Sequence, residues 1–263
     1  MKNWFIEIIK KYNAKNNDLD KMEEKRQKYT SYIEYVKQNV MGYDTVEIAN
    51  NLIALIIEHL NYKQTIEALE HKHANMDNSR ILELFRYLSN EVGKEPTSII
   101  LREVHPDDKS AYSQSILKQS GEIKVEINAI PILLNVWNGD RVIDNFQGIN
   151  ENNKFDGIKH KNNIQNYYLY PMNFIVCFGG NHSQFAARYK NDGHTVVEKI
   201  VDYSNVYSTI TFDGVGFTDK NNEYLELDYS EDEVFYAGVL YELGRYILDN
   251  TYFNKSIPRN LFI

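Results

Sequence analysis

The chain has 263 residues, with 29 Lys and Arg against 37 Asp and Glu, for a formal net charge of -8. That balance argues against a broad electrostatic footprint for duplex DNA or an anionic membrane surface, and no apolar run approaches the roughly 18 residues that a membrane span needs. The single cysteine, Cys177, rules out an intrachain disulfide framework and suits a reducing compartment.

The opening stretch, MKNWFIEIIKKYN, lacks a signal peptide's apolar block and small-residue cleavage site, so a cytoplasmic protein is expected. Residues 1–95 read as helices. Trp4, Phe5, Ile8, Ile9 and Tyr12 recur at helical spacing, and residues 18–40 carry a thin apolar stripe of Met22, Tyr29, Ile33 and Val36. Gly42 breaks the pattern, and Asp44 can cap a helix whose Val46, Ile48, Ala49, Leu52, Ile53, Leu55 and Ile56 are apolar nearly all round, which predicts burial. Asp77 or Asn78 can cap a further helix with Ile81, Leu82, Leu84, Phe85 and Leu88 inside and Gly93 near its end.

The texture changes after Pro96. TSIILREV has a strand's β-branched content, and His105-Pro106-Asp107 is a break. EIKVEINAIPILLNVW reads as a strand entering a core, residues 140–149 as a helix and ENNKFDGIKHKNN as a loop. YYLYPMNFIVCF reads as a buried strand interrupted by Pro171. TVVEKIVDYS, YSTITFDGVGF and EYLELDY read as later strands, FDGVGF being a hairpin turn, and Glu231 to Asn250 as a final amphipathic helix. The fold class expected is α+β (mixed α/β), with a helical region over 1–95 and an α/β region over 96–263.

FGGNHSQFAARYK, residues 178–190, joins an apolar strand to a helical pattern through two glycines. A helix start has unpaired N–H groups and the positive end of the dipole, which suits a phosphate or carboxylate. Gly179 and Gly180 let a ligand approach the main chain closely, Asn181 or Ser183 can cap or donate, and His182 can donate to a phosphate. The plainer alternative is a strand-to-helix turn with Asn181 as its cap.

The stretch FGGNHSQFAARY closely resembles the Phe-Gly-Gly-Cys-His-Arg turn of sulfiredoxins, and also the Gly-Glu-Arg-Arg turn of ParB partition proteins. The neighbouring IPILL, WNGDRVIDNF and TVVEKIVD match the order of elements in that ParB/sulfiredoxin-like superfamily, so the resemblance spans roughly residues 121–203. It also resembles a family of bacterial and phage proteins with a Gly-Asn-His-Ser signature. The resemblance implies a nucleotide or phosphate site over Gly179, Gly180, Asn181, His182 and Ser183, with Arg141 supplying charge and magnesium accompanying the nucleotide. Departures bound what it implies. Asn181 stands where sulfiredoxins carry the attacking cysteine, and an amide cannot act as a thiolate. Ser183 replaces the phosphate-gripping arginine, which leaves Arg141 and Arg188 as candidate cations. Cys177, inside the apolar strand, is expected to be inert.

Other constellations are weaker. Trp137 and Arg141, four apart, share a helix face and read either as a wall beside a phosphate or as a core ring and a surface ion pair. His71 and His73 diverge on a helix, and His182, His194, Asp202 and Asp213 are too loosely spaced for a zinc signature. Glu231, Asp232 and Glu233 complement a helix dipole. Two functions follow. One is a nucleotide-binding protein, extending to an NTPase or nuclease, although no general base or nucleophile stands out. The other is a noncatalytic protein that binds a host partner, for instance a phage anti-defence protein blocking a bacterial immune complex. A homo-oligomer formed through the helical region is expected in either case.

Overall fold

A computed structural model describes residues 2–37, 44–100, 117–118 and 123–250. The expected breaks at Gly42 and His105–Asp107, the rest of the TSIILREV strand and the side chains of Trp4 to Tyr12 lie outside what it describes. The fold is α+β, as the sequence pattern predicts. Helices α1 (Lys2–Lys37), α2 (Asp44–His71) and α3 (Arg80–Glu91) come first, and α4 (Gly139–Gly148), α5 (Asn181–Lys190) and α6 (Glu231–Asn250) follow among the strands.

The central sheet has six strands. These are β1 (Thr97–Ile100), β2 (Leu117–Lys118), β4 (Ile132–Leu133), β6 (Gln165–Tyr170), β7 (Phe174–Gly179) and β9 (Lys199–Asp202), in the order β2-β1-β9-β6-β7-β4. A second sheet joins β3 (Ile123–Glu126), β8 (Gly193–Val197) and β5 (Phe155–Asp156) in the order β3-β8-β5, and β10 (Thr211–Phe212) with β11 (Phe217–Thr218) forms the expected hairpin.

Side-chain alternation along the central strands divides the apolar residues between two cores. Tyr167, Leu169, Phe174, Val176 and Val201 face a core shared with α1, α2, α3 and α6. Tyr168, Tyr170, Ile175, Cys177 and Ile200 face a second core shared with α4, α5 and the small sheet. Burial on both faces explains why FIVCF reads as a continuous apolar run rather than as an alternating one.

Several expected strands are divided. EIKVEINAIPILLNVW supplies β3 and β4, which belong to different sheets, with a turn between them in which Ala129 N–H donates to Glu126 O at 3.0 Å. YYLYPMNFIVCF reverses at Pro171–Asn173 into the antiparallel pair β6–β7, where Asn173 takes a positive φ of 53°. EYLELDY forms no strand beyond an isolated bridge between Tyr224 and Thr218, because its pairing with the hairpin stops there.

Helix α2 is not buried all round. Ile53, Ile56, Ile57 and Leu60 are buried, whereas Leu55, Tyr62, Ile66 and Leu69 are exposed. Neither residue named as a cap of α3 caps it with its side chain, although Asp77 O and Asn78 O accept the N–H groups of Arg80 at 3.2 Å and Ile81 at 3.3 Å. The Asp77 carboxylate accepts the Ser79 N–H and hydroxyl, while Asn78 is buried and donates to Leu60 O and Leu134 O.

The acids that open α6 do more than complement its dipole. Glu231, Asp232 and Glu233 pair with Lys25, Lys63 and Arg80, one cation from each of α1, α2 and α3. Ser230 and Glu233 add a capping box, with Ser230 N–H donating to Glu233 Oε2 at 2.6 Å and Glu233 N–H to Ser230 Oγ at 3.3 Å.

Candidate functional site

The chain turns from β7 into α5 at Gly179 and Gly180. Gly180 has φ +79°, a left-handed conformation that costs an L-residue energy. A β-carbon on Gly179 would lie 2.7 Å from Asn163 O, so the glycines let the turn pack against the backbone of the 161–163 segment. The first backbone bond of α5 runs from Gln184 N–H to Gly180 O at 2.9 Å. The N–H groups of Asn181, His182 and Ser183 precede it, and none has an acceptor among the described residues. Gly180 offers no side-chain cap.

The side chains of the motif turn to the protein. Asn181 Oδ1 accepts Asn135 N–H at 2.8 Å, and His182 Nε2 accepts Asn138 N–H at 3.2 Å. From the other side, α2 meets the same segment. Asn61 Oδ1 accepts Leu134 N–H at 2.9 Å while its Nδ2 donates to Ile132 O at 2.8 Å, and Gln64 Oε1 accepts Val136 N–H at 2.9 Å. The extended backbone after β4 thus has the N–H groups of residues 134 and 136 held by α2, and those of 135 and 138 held by α5. These amides and the imidazole satisfy the edge strand as a neighbouring strand would. Ser183 Oγ donates to Gly180 O at 3.0 Å.

Asn138, held by His182, caps α4 by accepting Arg141 N–H at 2.9 Å. Trp137 just before it is 39% exposed. The Arg141 guanidinium lies 5.1 Å from the Trp137 ring centre, and His73 and His182 meet that ring edge-on at 5.6 Å each. The structure therefore brings Trp137, Arg141, His182 and the glycine turn together, and adds His73. Burial, helped by the Arg141 charge, lowers the His182 pKa to about 4. His182 is neutral at pH 7, and because Nε2 accepts, Nδ1 carries the hydrogen.

Sequence reasoning missed the network beneath the turn. Gln184 Oε1 accepts from Asn166 Nδ2 at 3.0 Å and from the Thr195 hydroxyl at 2.6 Å. Its Nε2 donates to Asn166 Oδ1 at 3.2 Å, Cys177 Sγ at 3.0 Å and Gly179 O at 3.2 Å. Asn166, Gln184 and Thr195 are fully buried. The available signal was an asparagine inside an apolar strand, in QNYYLY, together with a glutamine on the side of α5 that also carries its alanines.

Cys177 is buried, its thiol donates to Gly179 O at 2.9 Å, and burial pushes its pKa up, so it is protonated and unreactive. Arg188 lies away from the turn, donating to Ile127 O at 2.7 Å and Ile130 O at 3.1 Å and pairing with Glu58. His194 meets Asp156 at 3.1 Å, Asp202 accepts from Ser204, and Asp213 from Arg26 and Tyr224, so these residues do not converge with His182. Among the described residues no group of three or more His, Cys, Asp or Glu side chains is placed to hold a metal ion.

The fold and the turn define an α+β protein with a two-sided central sheet and, behind a glycine turn, a helix start whose first N–H groups have no acceptor among the described residues. The chain belongs to a family of unknown function, DUF6710, whose model matches residues 14–254. Comparison with curated proteins and with solved structures gives no match.

Proposed function

We propose that the chain is a phosphate-binding protein, in the nucleotide-binding manner that its likeness to the ParB/sulfiredoxin-like superfamily implies. One observation carries the reading, namely the three N–H groups of Asn181, His182 and Ser183 at the start of α5, which have no acceptor among the described residues. Arg141 brings a positive charge close enough to depress the His182 pKa, and Trp137 offers an exposed ring beside it for a base. Magnesium would arrive with the nucleotide. Amides, a neutral imidazole and an indole bind and orient rather than attack, so binding is the primary claim. Hydrolysis of a nucleotide or of nucleic acid is its enzymatic extension, to be tested by phosphate release and by strand cleavage.

Isothermal titration of the full chain with ATP, CTP, GTP and short oligonucleotides, with and without magnesium, tests the reading. Binding of at least one, weakened in Arg141→Ala, is expected. Failure of all of them to bind would remove it.

A second reading rests on a different observation. Leu55, Tyr62, Ile66 and Leu69 are exposed along α2, at spacings of seven, four and three residues. Such a stripe fits a protein contact, either with a second copy or with a host protein, as for a cytoplasmic phage anti-defence protein. Light scattering on the parent chain and on Ile66→Glu separates these cases. A dimer lost in the variant supports self-association, and identical monomers leave only the host partner.

A further inference from the structure

Donors and acceptors divide unevenly around the glycine turn. Asn181 Oδ1 and His182 Nε2 are committed to the protein, accepting the N–H groups of Asn135 and Asn138. What is left over donates. The N–H groups of Asn181, His182 and Ser183 and the Nδ2 of Asn181 have no acceptor among the described residues. The Arg141 guanidinium has no hydrogen bond or ion pair there, only its contact with the Trp137 ring.

His182 supplies an observation independent of the helix start. The residue is 7% exposed. A backbone N–H occupies Nε2, so the ring hydrogen is on Nδ1, and Nδ1–H has no partner among the described residues. Polar atoms sealed without a partner occur elsewhere, as at Asn78 Oδ1 and the Tyr207 hydroxyl, but His182 Nδ1 is not one of them and stays accessible. With Nε2 held by the segment before α4, Nδ1, the ring nitrogen nearer the main chain, is directed away from that segment and toward the first turn of α5. A buried donor left unmet is costly.

Acceptors are scarce by comparison. Ser183 Oγ donates to Gly180 O and keeps only neutral lone pairs. Asp140 and Asp144, the carboxylates of α4, are exposed and pair with neither Arg141 nor His182. Such a site sorts oxyanions by their protons. Orthophosphate near neutral pH always retains a P–OH, which needs an acceptor, whereas sulfate, and phosphate monoesters above about pH 6, bring acceptors alone.

We infer that the turn selects oxyanions that carry no hydrogen, namely phosphate esters and their mimic sulfate, over orthophosphate, with His182 Nδ1–H and Asn181 Nδ2 as the side-chain donors that enforce the choice. This selectivity rests on the phosphate-binding reading and states which form of phosphate the turn takes.

The full chain is titrated at pH 8 and matched ionic strength with sodium sulfate, methyl phosphate and orthophosphate, which carry nearly the same charge there and differ in the retained hydrogen. Sulfate and methyl phosphate should each bind at least about fivefold more tightly than orthophosphate, the lower end for a polar group left unpaired. Asn181→Asp keeps the Oδ1 that accepts from Asn135 and replaces the Nδ2 donor with an acceptor, so it should bring that ratio down toward one. A purely structural role would lower all three affinities together. If the variant does not fold, the comparison in the parent carries the test. A smaller ratio in the parent, or an unchanged ratio in folded Asn181→Asp, overturns the inference and leaves the phosphate reading standing. So does binding of ATP, CTP or GTP without binding of sulfate or methyl phosphate. Failure of every anion and nucleotide to bind overturns both.

Discussion

Replacing Gln184 with Met keeps the length of the side chain and removes all its hydrogen bonding, so it isolates the network beneath the turn. In the parent, Gln184 Oε1 receives Asn166 Nδ2 and the Thr195 hydroxyl, and its Nε2 reaches Asn166 Oδ1 and Gly179 O. Asn166 keeps bonds from Nδ2 to Val196 O and Thr195 Oγ1 at 2.9 and 2.8 Å, so that end survives. Asn166 Oδ1 and the Thr195 hydroxyl hydrogen are left without partners in a site closed to water. At about 1–3 kcal/mol for each of the two buried groups orphaned, Gln184→Met should cost about 2–6 kcal/mol. Asn166→Leu orphans the other half of the network. The double variant should therefore cost about 1–2 kcal/mol less than the two singles added together, because each single already destroys what the other would lose. Urea unfolding of the four chains measures this. Singles that add to within about 0.5 kcal/mol, or a Gln184→Met cost below that figure, would show that the two amides are not one unit. Gln184 also ties Gly179 O to α5, so phosphate binding should weaken in Gln184→Met without any contact between that residue and the ligand.

Gly180→Val should abolish phosphate binding and cost at least about 1–2 kcal/mol of stability, since φ is +79° there, whereas Ser183→Ala, which loses only a bond to Gly180 O, should change little by titration or urea unfolding. For His182 the folded pKa is about 4, below the ordinary value near 6.5. The unfolded chain therefore takes up the proton first, and stability, complete above about pH 6.5, falls as pH drops toward 4, by on the order of 3 kcal/mol. Unfolding at pH 7 and pH 4.5 measures the drop, and His182→Gln, whose amide oxygen can accept from Asn138, should flatten it. Ser230→Ala should cost about 1 kcal/mol in urea by removing the capping box of α6. Cys177→Ser should leave ligand binding unchanged, since the thiol is protonated and buried.

The sequence shows the helices at the front, the strand–glycine–helix junction and the last helix because each has a local signature. β7 ends at Gly179 and α5 begins at Asn181, one residue beyond and at the positions that the glycine pair predicts. The strands after Pro96 are harder to read. A run such as EIKVEINAIPILLNVW has the same apolar texture whether it makes one strand or two, and only the tertiary partners, β8 for one half and β7 for the other, divide it. EYLELDY alternates like a strand but finds no continuous neighbour. In α2, the exposed stripe and the buried amides Asn61 and Gln64 were invisible for one reason: hydrophobicity reports which residues can be buried, not which surface is already covered.

The motif itself carries the same lesson in chemical form. Read as a sequence, Gly-Asn-His-Ser presents four ligand donors in a row. In the fold, Asn181 and His182 spend their acceptors on Asn135 and Asn138, and Ser183 spends its hydroxyl on Gly180 O. What the motif leaves unengaged among the described residues is its first N–H groups, together with Asn181 Nδ2 and His182 Nδ1–H. This division has a chemical advantage for an anion site. The side chains fix the start of α5 against the start of α4, so in the proposed site the three N–H groups that lack an acceptor among the described residues would be held in place before an anion arrives, with little ordering left for binding to oppose. In the proposed site charge would come from Arg141, which His182 positions only indirectly, through Asn138 and the first turn of α4. Substitutions at Asn181 and His182 should therefore appear as a loosened α4–α5 junction, with both stability and affinity lowered. Arg141→Ala should lower affinity alone, by about 1.5–3 kcal/mol, the range for a hydrogen bond to a charged group. Paired urea unfolding and titration separate the two patterns. Equal loss of stability in Arg141→Ala would place that arginine in the frame rather than at the ligand.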